Sequence, residues 1–129
     1  MKLKNLFAIL LATAWISLSE FFRNEILFKQ LWTDHYQKLG LVFPSETSNK
    51  IAWVAWSFML TGLIYNIAQK FSLAGTTLLS WFAAFAMMWI VIGNLGVLPH
   101  KLMLYATPLS LLETFVAALI IQKVSDRHP

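Results

Sequence analysis

Glu113 is the one acidic or basic residue between Lys101 and Lys123, in the middle of an otherwise apolar run. An ionised carboxylate at the centre of a membrane helix costs roughly 2.5–3.5 kcal/mol on insertion scales. Such a group is held neutral, paired across helices, or turned to water, and each state can serve proton or ion chemistry. A purely structural alternative is a neutral Glu113 that donates to a backbone carbonyl, such as that of Leu104, freed by Pro108. Glu20 is the second carboxylate in an apolar setting, three residues before Arg23, with Ser17 and Asn24 at helical spacing from it. From the rise of about 1.5 Å per residue, an antiparallel pair of helices with both termini on one side puts Glu113 near the level of Ala14. Glu20 then lies roughly two turns further toward the opposite face. The two carboxylates are expected to stack rather than pair, with Arg23 favouring the ionised form of Glu20, as in a half-channel for protons or cations rather than a catalytic dyad. The competing reading of Ser19 to Glu25 is an interfacial helix turn with a Glu20–Arg23 ion pair at i,i+3.

Small and polar residues recur around these groups. Ala106, Ser110, Glu113 and Ala117 share one face of a helix, as do Thr13, Ser17, Glu20 and Asn24. Similar stripes run through Ala55, Gly62, Asn66 and Gln69, and through Thr76, Ser80, Ala83 and Met87. Such faces let membrane helices approach closely and hydrogen-bond to one another without any cavity. Packing alone does not require the carboxylates that sit on two of them, so Glu113, Glu20, Arg23, Asn24, Ser17, Ser110 and Asn66 are the intramembrane functional candidates.

The elements that must position these residues are membrane spans. From Phe71 to Pro99 the chain carries no Asp, Glu, Lys or Arg, a run longer than the roughly 20 residues that cross a bilayer as a helix. Apolar runs and their charged or Gly/Pro-containing boundaries give spans over about 5–22, 51–69, 74–95 and 102–122. Gly93, Gly96 and Pro99 end the third, so that the last two form a hairpin through His100 and Lys101. Only Asn5 to Ser19 separates Lys4 from Glu20, so a full first crossing takes Glu20, Phe21 and Phe22 into the helix. Ala12-Thr13-Ala14 behind Lys2 and Lys4 imitates a signal-peptide cleavage site, but the apolar run continues past it through Trp15, Ile16 and Leu18, and retention is expected. Ile26, Leu27, Leu31, Trp32, Tyr36 and Leu39 then recur at helical spacing, giving an amphipathic interfacial helix over about 24–39, stopped by Gly40. Pro44, Ser45, Thr47, Ser48 and Asn49 form a loop with candidate caps for the second span. The fold class is all-α: one integral membrane four-helix bundle, 1–129, with an interfacial segment after the first span.

Composition agrees. Hydrophobic residues make up 58% and charged residues 12% of the chain, which removes a soluble enzyme core from consideration. The net charge of +4 belongs to topology and headgroup contact, not to nucleic acid. Lys2, Lys4, Lys70, Lys123 and Arg127 oppose Arg23, Lys29, Lys38, Lys50 and Lys101 across the membrane, and the compact basic clusters at the two ends favour cytoplasmic termini. The absence of cysteine excludes thiol chemistry and disulfides. His35, His100 and His128 lack metal-ligand spacing, and no cofactor or phosphate-binding motif is present. Trp81, Phe82, Phe85 and Trp89 make an aromatic face in the third span, read chiefly as lipid contact, with a seat for a flat lipophilic ligand as the alternative.

A first span, the Leu27-Phe28-Lys29-Gln30-Leu31-Trp32 stretch, a Gly40-Leu41 stop and three further spans together resemble a group of uncharacterised small four-span bacterial membrane proteins. That resemblance implies an inner-membrane location and carries no activity. The residues themselves point to proton- or cation-coupled transport or permeation through an intramembrane carboxylate. A lipophile-binding protein or membrane enzyme using Glu113 as acid or base and an accessory subunit of a membrane complex are the alternatives. No catalytic residue is assigned, and an enzyme is the less favoured class. The partners expected are the lipid bilayer and either further copies of the chain or a membrane partner protein, because four thin spans enclose little volume.

Overall fold

The structure is a computed structural model that describes residues 1–126; Arg127 and His128, counted above among the tail residues, lie outside the described residues. Four helices are long and apolar enough to cross a membrane, over Leu3–Leu27, Thr47–Ala68, Leu73–Asn94 and His100–Val124. The chain is an all-α bundle of these spans.

The first span is α1 (Leu3–Phe21) continued by a π-helical turn over Phe22–Leu27. Its wide turn closes when the Phe28 amide donates to the Arg23 carbonyl at 2.9 Å. The span therefore runs past Phe22 to Leu27, at about 37 Å longer than a hydrocarbon core of about 30 Å, so its end reaches the interface. Phe28 leaves helical geometry (φ −121°, ψ 12°) and turns the chain into the short interfacial α2 (Lys29–Lys38), which begins later than the amphipathic pattern suggests. Gly40 stops α2 in the left-handed region at φ 72°, with Gly40 and Leu41 amides returning to the carbonyls of Gln37 and Tyr36 at 3.0 and 2.9 Å.

The second span is α3 (Thr47–Ala68), opened by a capping box between Glu46 and Asn49. Glu46, which the sequence reading passed over as a cap, thus starts the helix several residues before the apolar run. The third span is α4 (Leu73–Trp81) and α5 (Met87–Asn94), joined through a second π-helical turn at Phe82–Ala86. Ser72 caps its start by accepting from the Gly75 amide at 3.2 Å. Gly96, at φ 78°, ends it, and a short 3-10 turn (His100–Leu102) leads into α6 (Met103–Val124).

Helix α1 packs against α6 and α3, and α4 packs against α6 and α3. At the end of the bundle that holds both termini, Ala8, Ala12 and Ile16 meet Ile64, Ala68, Ala117, Ala118 and Ile121, a closely packed plug of buried small and branched side chains. Polar contacts tie that end together. The Asp126 amide donates to the Asn5 side chain at 2.8 Å, and Asn5 donates to the Tyr65 hydroxyl at 2.9 Å. The outer surface carries Phe7, Leu10, Phe58, Met59, Leu78, Ile90 and Leu112 exposed, as a lipid-facing surface requires.

The two π-helical turns change which residues face inward. Each inserts one residue into the helical register, about 100° of rotation. Thr76 and Ser80 are buried ahead of the second turn, whereas Ala83 and Met87, beyond its start, face outward; Phe85 and Trp89 take the interior instead. Phe82 stays on the lipid side, so the aromatic face of the third span is split between interior and lipid. The stripe through Ala55, Gly62, Asn66 and Gln69 is likewise not the buried face of α3, which is made by Ser57, Leu60, Thr61, Ile64 and Ala68.

Candidate functional site

The carboxylates come together through Arg23. The guanidinium bridges two spans, with Nη1 donating to Glu113 Oε2 at 3.4 Å and Nη2 donating to Glu20 Oε1. Glu20 and Glu113 therefore share one cation. The Trp15 indole N–H donates to the Glu113 carbonyl at 2.9 Å, so α1 and α6 are in contact at the turn expected from the helical rise. What the rise omits is the reach of Arg23, whose long side chain closes the gap. Glu113 does not turn to the Leu104 carbonyl.

All three charged residues are buried: Glu20 is 5%, Arg23 6% and Glu113 2% exposed. Two carboxylates against one guanidinium leave one negative charge in excess when both are ionised. Among the described residues Glu113 Oε1 has no hydrogen-bond partner, so one acceptor of the cluster is unused there. Asn24 extends the network: its amide donates to Glu20 Oε2 at 3.0 Å, and its oxygen accepts from the Trp32 indole at 3.1 Å. The π-helical turn that places Arg23 and Asn24 thus also anchors α2 through Trp32.

Arg23 lies over the ring of Phe85, with Cζ 5.3 Å from the centroid. Phe85 belongs to a continuous aromatic series. Its ring is 5.6 Å from Trp56 and 5.7 Å from Trp89, and Trp56 is 5.7 Å from Trp53. Across from them, Tyr36 and Phe43 meet edge to face at 5.2 Å beside Trp32.

Between these walls lies a cavity of about 450 Å³. Glu20, Arg23 and Asn24 supply its charged and amide floor, Trp53, Trp56, Phe85 and Trp89 one wall, and α2 with the following loop the cover, through Trp32, Tyr36, Phe43 and Pro44. The cover is tied down by His35, whose ring nitrogen Nε2 is 2.7 Å from the Gly96 carbonyl oxygen. A smaller hollow of about 140 Å³ lies between α1 and α3, lined by Ser17, Glu20, Phe21, Asn24 and Lys50 among others.

Of the residues singled out from sequence, Glu20, Arg23, Asn24 and Glu113 form one network. Ser17 lines the smaller hollow beside Glu20, and its hydroxyl has no hydrogen-bond partner among the described residues. Ser110 is buried, accepting from the Trp81 indole at 2.8 Å and donating to the Thr107 carbonyl at 3.0 Å, so it is engaged in packing. Asn66 is remote: it is exposed and donates to the Gly62 carbonyl one turn back at 2.8 Å. The sequence reading missed Trp32, Tyr36, Phe43, Trp53 and Trp56 as lining residues. Their signal was aromatic density on both sides of the Gly40–Asn49 loop, which is also what an interfacial belt looks like.

Among the described residues no group of three or more His, Asp or Glu side chains is arranged to hold a metal ion. The arrangement can instead accept a small molecule with an apolar body beside a buried, charged floor. No family model matches the chain, and neither the curated proteins nor the solved structures contain a significant match to it.

Proposed function

We propose that this protein binds a lipophilic small molecule in the cavity at the membrane end opposite its termini. The observation that carries this reading is the 450 Å³ volume enclosed by aromatic side chains over the Glu20–Arg23–Asn24 floor. That volume lies within the range of about 300–1,000 Å³ typical of small-molecule sites, and an apolar wall with a few convergent polar groups is their usual chemistry. The cavity is one-sided in this reading, because buried alanine and isoleucine side chains fill the bundle at the other end. A blind pocket favours binding over passive permeation. By the distribution of basic residues, the termini are cytoplasmic and the cavity faces the opposite side of a bacterial inner membrane.

Native mass spectrometry of the gently solubilised protein beside Ala106→Trp tests it, because Ala106 lines the cavity and an indole there fills it. A lipophile retained by the wild type and lost in the folded variant is the expected result. Identical adducts on both proteins, or none on either, would remove the reading.

A second reading is proton- or cation-coupled transport, favoured by the unpartnered Glu113 Oε1 beside a shared cation. The one-sided cavity is then one of two access states, and Glu113→Gln abolishes coupled flux in liposomes while leaving assembly intact. Unchanged flux would eliminate it.

A further inference from the structure

From the charge and wall chemistry of the cavity, and resting on the binding reading above, we propose that its ligand is a lipophilic cation, an amine or onium group on an apolar body. The cavity has one charged floor and that floor is unbalanced. Glu20 and Glu113 share the single guanidinium of Arg23, so with both carboxylates ionised the cluster holds one more anionic than cationic group. Glu25, also on the cavity wall, is offset by Lys29 at 3.5 Å and leaves that excess unchanged. Arg23 is already engaged by anions: each of its terminal nitrogens donates to a carboxylate, and one face of its plane is against Phe85. An anionic headgroup entering the cavity would meet the Glu20 carboxylate, and among the described residues the one cation on the lining, Arg23, is already paired. A cation meets the opposite situation. It supplies the missing positive charge at Glu20 and lies against Trp53, Trp56 and Trp89, ring types that attract cations through their π faces. Complementary charge of this kind selects between ligands of equal shape.

Tetraphenylphosphonium and tetraphenylborate are ions of the same shape and opposite charge, and triphenylphosphine oxide is a neutral relative. Binding of each to the protein in nanodiscs is followed by tryptophan fluorescence, with empty nanodiscs subtracted for partition into lipid. The expected result is binding of the phosphonium about tenfold or more tighter than the borate, with the neutral compound between them. In Glu20→Gln, which removes the charge excess, the preference should fall to about threefold or less. Equal or stronger binding of the borate would overturn the cation inference while leaving the cavity reading in place. Binding of none of the three would remove both. The wild-type comparison is decisive by itself if the variant does not fold.

Discussion

Removing Arg23 should destabilise the bundle more than any other single change to a charged residue. Its Nη1 is 3.4 Å from Glu113 Oε2. At an effective dielectric of about 20, unit charges at that separation attract by about 5 kcal/mol. The desolvation cost offsets much of this in the intact protein, but Arg23→Met leaves two buried carboxylates facing each other with no cation between them. Breaking a buried pair in this way costs about 3–5 kcal/mol. Proton uptake by one carboxylate limits the loss to the lower end, about 3 kcal/mol. Combining Arg23→Met with Glu20→Gln and Glu113→Gln removes the charges altogether, and the triple variant should recover to within about 1 kcal/mol of wild type. Reversible unfolding in mixed micelles of increasing dodecyl sulfate fraction, followed by circular dichroism, gives both quantities. A loss below about 1 kcal/mol for Arg23→Met, or a triple variant no more stable than the single one, would refute the shared-cation arrangement.

The remaining expectations probe the elements that build the site. Phe85→Ala should cost about 3–4 kcal/mol, because Phe85 is 1% exposed and packed against Trp56, Trp89 and Arg23, whereas Phe82→Ala on the lipid face should cost under about 1; similar losses at the two positions would show that the π-helical turn does not set the register. His35→Ala removes the 2.7 Å tie to the Gly96 carbonyl and should speed amide exchange across residues 29–46 roughly fivefold, the equivalent of about 1 kcal/mol; unchanged exchange would mean that the cover is held by its aromatic contacts alone. Gly40→Ala should cost about 1 kcal/mol from backbone strain at φ 72°, since an added Cβ meets nothing within 4 Å. Gly62→Ala, equally open but helical, should be neutral or slightly stabilising in the same unfolding assay.

The sequence by itself determined the solvent of this protein and therefore most of its architecture. Uncharged runs bounded by lysines fix where helices cross a bilayer, because the cost of burying charge in hydrocarbon is local and needs no knowledge of neighbours. Gly40 and Gly96 were legible as stops for the same reason: the left-handed geometry they adopt is a property of one residue. Glu113, Glu20, Arg23 and Asn24 stood out as polar exceptions in an apolar text, and they are joined in one network. Tertiary structure decided what they are joined to. The pairing of Arg23 with Glu113 spans elements far apart in the chain and depends on helix packing that no local pattern encodes. The π-helical turn of the third span shifted its buried face, so Ala83 and Met87 fell outside while Phe85 and Trp89 came in, and Asn66 lies off the face by which α3 packs. Aromatic residues near a membrane interface have the same composition whether they contact lipid or enclose a cavity. Only the fold of α2 and its loop over the ends of α3 and α5 turned Trp32, Tyr36, Phe43, Trp53 and Trp56 from a belt into the walls of a pocket.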